Sequence, residues 1–209
     1  MGIIVLEGGG PFVANDALDS KVLGGVDGQI AVLPTAQAFE NPDGLIERAR
    51  AWASRLNLEI RVCGVYTRAD AREEHHADVI RAAKAVVLVG DSSIHLRSTL
   101  LNTPVWEAIE VQSETGVVIG VGNCASALCD PMVDPRGGAF GLGLGLVDGV
   151  AVIPECEQIS SDQIQRTISL ATFCLAQLPT GSALIREDRG WSAFGDVTTH
   201  GDFEVSNFR

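Results

Sequence analysis

The sequence predicts an α/β fold, a three-layer αβα sandwich around a mainly parallel central sheet. Three observations carry this. Short apolar runs alternate with helix-periodic segments along the chain. The runs are continuously apolar rather than alternating, as strands buried on both faces are. Each run meets a glycine, a proline or a helix cap at its end. The 209 residues fit one domain spanning 1–209 and allow a substantial core.

The predicted strands are residues 3–6, 29–33, 58–62, 85–89, 117–121 and 150–153. Asn41-Pro42 offers an N-cap with proline at the first helical position, and Thr103-Pro104 repeats that device. After the first, Leu45, Ile46, Ala49, Trp52, Ala53 and Leu56 share one helical face. Ser160 with Gln163 forms a capping box, and Ile164, Ile168, Ala171, Leu175 and Leu178 carry helical spacing onward to 178. Residues 180–209 read as short strands and turns.

Composition excludes several function classes. Formal net charge is −12, and lysines and arginines are scattered singly. No basic patch is present to hold a phosphate backbone, so nucleic acid is not an expected partner. No apolar stretch reaches membrane-spanning length, and residues 1–6 read as a strand rather than a signal peptide. The five cysteines are an odd number without a CxxC pair, which points to a reducing, cytoplasmic setting and away from a zinc site. No metal or cofactor is expected. His75 and His76 fall in a charged, solvated helical stretch, and His200 in a turn of the tail.

Ligands of such sheets sit at the C-terminal ends of the parallel strands. Four motifs lie there: Gly8-Gly9-Gly10, Pro34-Thr35-Ala36, Gly90-Asp91-Ser92-Ser93 and Gly122-Asn123-Cys124-Ala125-Ser126. The last invites a nucleophile elbow. Small residues Gly122 and Ser126 stand two before and two after Cys124, as a tight strand-to-helix turn requires. A helix aimed at the sulfur would favour its thiolate. The same cysteine also reads as a small buried core residue. Gly120, Gly122 and Ala125 match, in addition, the glycine spacing of a dinucleotide-binding turn. Gly141-Leu142-Gly143-Leu144-Gly145 lacks the Lys-Ser/Thr of a P-loop and reads as backbone passing close to the Cys124 turn. Pro131 and Pro135 make 130–138 an irregular loop able to cover the site.

The order of motifs resembles the cyanophycinase and aspartyl dipeptidase (peptidase E-like) family of the class I glutamine amidotransferase-like fold, a flavodoxin-like arrangement. The resemblance runs through Gly8-Gly9-Gly10, Val32-Leu33-Pro34-Thr35-Ala36, the stretch from Ala77 to Asp91, Gly122-Asn123-Cys124-Ala125-Ser126-Ala127 and Gly141-Leu142-Gly143-Leu144. It implies Cys124 at the place of the family's nucleophilic serine. The family's catalytic histidine would fall in Val152-Ile153-Pro154-Glu155-Cys156-Glu157, where no histidine stands. His95, just past the Gly90-Asp91 loop, and Glu155 are then the candidate partners of Cys124. Gly9, Gly10, Gly90, Asp91, Ser92, Asn123 and Ala125 are the candidate substrate and oxyanion-binding residues, with N–H groups near Gly90 and Ala125 forming the oxyanion hole.

Three functions follow. The first is a cysteine-type peptidase or amidase acting on a small peptide or amide. The second is an inactive relative that binds a small molecule or a protein partner, since the family histidine is missing. The third is a nucleotide-binding protein. The resemblance also carries an expectation of self-association, as a homodimer.

Overall fold

The computed structural model describes residues 2–188 and 190–208. Its elements, in chain order, begin with β1 (Ile3–Glu7), α1 (Asp16–Leu23), β2 (Ile30–Leu33), α2 (Pro42–Leu56), β3 (Ile60–Val62), α3 (Arg68–Ala71), α4 (Glu74–Ala82) and β4 (Ala85–Leu88). Next come α5 (Ser93–Leu100), α6 (Pro104–Thr115), β5 (Val117–Val121), α7 (Asn123–Leu128), and the two-residue strands β6 (Cys129–Asp130), β7 (Met132–Val133), β8 (Phe140–Gly141) and β9 (Val147–Asp148). The chain then runs through β10 (Val150–Pro154), α8 (Ser161–Leu170), β11 (Cys174–Leu178), β12 (Ala183–Glu187), β13 (Gly190–Phe194), β14 (Thr198–His200) and β15 (Ser206–Asn207).

The main sheet has the order β15-β13-β12-β1-β5-β4-β2-β3. Strands β1, β5, β4, β2 and β3 are parallel, while β12 joins β1 antiparallel and β13 joins β12 antiparallel. The continuously apolar runs are explained by burial on both faces. Leu6, Leu33, Val86, Leu88 and Val118 belong to one core, with Ala77 and Ile80 of α4, Leu96 of α5 and Ile109 of α6. Val5, Val32, Val87, Ile119 and Val121 belong to the other, with Leu18 of α1 and Leu45 and Trp52 of α2. Side chains of a strand alternate faces, so every residue of β2, β4 and β5 must be apolar or small.

The caps are formed as their residue types demand. Asn41 accepts from the Gly44 N–H, Thr103 from that of Trp106 and Ser160 from that of Gln163. A second sheet, β10-β11-β14, packs behind α7. Here the expected helix from Ser160 to Leu178 is corrected. It ends at Leu170, and Cys174–Leu178 is a strand parallel to β10. Leu175, Ala176 and Leu178 are buried, and the run offers Cβ positions to both sides of a small sheet. His200 lies in β14 rather than a turn, its ring 2.7 Å from the Gln177 amide nitrogen. His76 is only partly solvated, with Nδ1 3.5 Å from the Cys63 sulfur. Among the described residues, no helix is long and apolar enough to cross a membrane.

Candidate functional site

The predicted strand-end motifs converge at the C-terminal edge of β1, β4 and β5. The sharp turn there, at Gly122, is two residues earlier than the expected elbow at Cys124. Strand β5 ends at Val121 and α7 begins at Asn123. The residue between them, Gly122, turns the chain with φ 59° and ψ −126°. A nucleophile elbow holds its nucleophile at such a strained strand-to-helix position. Cys124 is already inside the helix. The small-x-turn-x-small pattern is therefore centred on Gly122, with Gly120 before it and Cys124 after it.

Packing explains the flanking residues. A Cβ at Gly120 would stand 2.8 Å from Leu128 and 3.0 Å from the Ala125 backbone. Only glycine lets α7 fold back onto β5 so closely. Gly122 differs, because a Cβ there would meet nothing nearer than the Gly9 Cα at 3.9 Å. The N–H of Gly122 donates to the Glu7 carbonyl at 2.9 Å, tying the turn to the end of β1.

Cys124 is 0% exposed, and its thiol faces the Gly90 carbonyl at 3.4 Å. Burial pushes the thiol well above the ordinary cysteine range, and the charge of Asp91 pushes it further the same way. This opposes thiolate formation. His95 does not reach the sulfur. Its Nε2 lies 2.9 Å from the Tyr66 carbonyl and 3.3 Å from the Thr99 hydroxyl, and its ring packs edge-on against Phe39. The expected Cys124–His95 pairing is thus corrected.

The Ala125 N–H donates to the Gly122 carbonyl at 2.9 Å, so it is spent within the turn and is not an oxyanion donor. In an elbow centred on Gly122, the N–H that follows the turn residue is that of Asn123. The Asn123 side chain crosses to the Asp91 carbonyl at 2.9 Å, fastening the β5 turn to the β4 loop. Gly90 has φ 123°, and a Cβ on it would lie 2.5 Å from the backbone of Ala36 and Gln37. Ser92 accepts from the His95 N–H at 3.2 Å and caps α5. The spacing of Gly120, Gly122 and Ala125 serves this turn and its close packing.

Glu155 does reach the site. It follows β10 in the left-handed region (φ 47°, ψ 38°), with its N–H donating to the Gly8 carbonyl at 2.8 Å. Its side chain covers Gly9, where an added Cβ would stand 2.4 Å from the Glu155 Cγ. Partial burial raises its carboxyl above the usual range, and the charges of Asp91 and Glu157 add to this. None of the ion pairs among the described residues includes Asp91, Glu155 or Glu157. Glu157 instead accepts from the Thr180 N–H and hydroxyl, and these bonds lower its own carboxyl.

A cavity of about 190 Å³ opens beside Asn123 and Glu155. Val133, Pro135, Ile153 and Ile159 supply its apolar walls, and Asp134 (ion-paired with Arg136), Gln158 and Gln163 its other polar groups. The irregular loop after Asp130 supplies part of this wall, whereas Gln158 carries no motif and Gln163 stands out in the sequence only as a helix-cap residue. Gly10 takes φ 68° and packs against Ala14 and Thr180, outside the cavity lining. Gly143 passes against the Ala127 and Cys129 carbonyls at the far end of α7. Among the described residues no group of histidine, cysteine or carboxylate side chains is arranged to hold a metal ion.

Two solved structures define the fold class. A peptidase from an acI-B1 Actinobacterium superposes with a TM-score of 0.81 at 24% identity, covering 96% of this chain and 90% of that one. A peptidase E-type protein from Listeria monocytogenes EGD-e superposes with a TM-score of 0.70 at 14% identity, covering 96% and 98%. The chain therefore has the peptidase E-type α/β fold. No family model and no curated protein matches it.

Proposed function

We propose that this protein is a non-hydrolytic version of the peptidase E-type fold, holding a small ligand beside the β5 turn without cleaving it. One observation carries the reading: the turn residue is Gly122, which has no side chain to attack with. The nearest thiol is sealed against a carbonyl, and the histidine expected to activate it is bonded elsewhere. What survives is a binding site. The cavity beside Asn123 and Glu155, at about 190 Å³, is smaller than a typical ligand pocket and admits only a very small ligand, for which its carboxylate and amide oxygens are acceptors.

The alternative, a cysteine-type peptidase or amidase, draws on the likeness to solved peptidases. It requires Cys124 to leave a fully buried position and ionise against the cost of burial. Turnover decides between the two. Acidic dipeptides, isoaspartyl peptides and simple amides are incubated with the protein and with Cys124→Ala, and amine release is followed. The expected result is no release from either. Release by the wild type that disappears in Cys124→Ala would overturn the proposal.

A further inference from the structure

Beneath the candidate site lies a pair of buried acids that the proposed function does not use. Glu7, the last residue of β1, is 2% exposed, and Asp19 on α1 is 4% exposed. Both side chains line the same small enclosed space. The Trp52 indole N–H donates to Asp19 Oδ2 at 2.9 Å, and the Asn15 amide donates to Glu7 Oε2 at 2.6 Å. Glu7 Oε1 has no conventional donor. Phe12, Val87, Ile119 and Val121 close the space around the pair without a charge. Of the charged groups on α1 and α2, Asp16 acts on Asp19, Arg55 is held by both Asp16 oxygens and the Phe12 carbonyl, and Lys21 lies over the Phe194 ring, while Asp43, Glu47, Arg48 and Arg50 do not line the space. None of the ion pairs among the described residues includes Glu7 or Asp19.

Two carboxylates facing one closed space and cut off from water cannot both ionise cheaply. Asp19 already accepts an indole N–H, which favours its ionised form. A proton on Glu7 turns Oε1 into a donor toward Asp19 and satisfies it. Glu7 and its partner Asn15 reach the candidate site. The Glu7 carbonyl accepts the Gly122 N–H, and Asn15 donates both to Glu7 and to the Gly9 carbonyl at 3.1 Å.

We infer that Glu7 and Asp19 share one proton at neutral pH, and that this proton latches the Gly9 and Gly122 floor of the candidate site to α1. Burial pushes both acids upward, Asp19 to about 6. In the unfolded chain both lose their protons near pH 4. The latch therefore contributes fully below that pH, and its contribution is lost as pH rises through the folded-state values.

Glu7→Gln tests this, because glutamine keeps the shape, accepts from Asn15, donates to Asp19 and does not titrate. Thermal unfolding is followed from pH 5 to pH 9 for both proteins, together with amide exchange at Gly122. The wild type is expected to lose Tm toward alkaline pH more steeply, leaving Glu7→Gln higher by roughly 3 to 6 °C at pH 9. Exchange at Gly122 should rise more than the intrinsic tenfold per pH unit in the wild type and follow it in Glu7→Gln. Parallel Tm profiles, or a Gln variant less stable at every pH, would overturn the latch. A stability effect without a change in Gly122 exchange would overturn its link to the site. If Glu7→Gln does not fold, Asp19→Asn carries the same test with the same expected flattening.

Discussion

Neighbouring strands β4 and β5 are each followed, within two residues, by a glycine with positive φ, and the two glycines are there for different reasons. Gly90 is pressed on by the backbone of Ala36 and Gln37, so any side chain would collide. Gly122 faces open space, with nothing nearer to a Cβ than 3.9 Å. Packing alone accounts for Gly90. At Gly122, backbone strain disfavours a larger residue, yet room for one exists, and a nucleophile elbow tolerates that strain for the sake of its side chain. The comparison separates a glycine required by the fold from one whose place leaves room for a side chain the turn does not carry.

Substitutions can break or sharpen this contrast. Gly90→Ala should be the most damaging, losing roughly 3–5 kcal/mol, because strain and overlap with backbone act together. Chemical denaturation would measure it. Gly122→Ser should keep the fold and lose about 1–3 kcal/mol, the strain of its dihedral angles alone. An equal loss at the two positions would erase the distinction. Glu155→Gly should change stability least, within about 1 kcal/mol, since relief of left-handed strain offsets the added chain entropy. Thermal shift against a small-molecule panel should nonetheless show weaker binding, which would place Glu155 in the site rather than in the framework.

Much of the fold was legible in the sequence. Doubly buried strands must be apolar throughout, and the Asn41, Thr103 and Ser160 caps mark helix starts by chemistry that does not depend on tertiary context. The register of the turn was not. Gly120, Gly122, Cys124 and Ser126 are spaced by two, so a small-x-turn-x-small pattern fits equally at Gly122 and at Cys124. Only the backbone dihedral angles separate them. Strand β11 was hidden because Leu175 and Leu178 continue the spacing of the preceding helix. The Glu7–Asp19 pair was hidden because an acid at the end of a strand reads as its solvated end, and its burial depends on how α1 and Trp52 of α2 pack over it.

The most direct test of the account is the alkylation rate of each cysteine in the native protein by iodoacetamide at neutral pH, resolved by peptide mass. Cys174, the only one of the five that is not buried, should react first. Cys124 should be slower by about 10³-fold or more, since it reacts only when the structure opens, and should label freely once the protein is unfolded. Native labelling of Cys124 ahead of the other thiols would contradict the claim that the β5 turn carries no nucleophile.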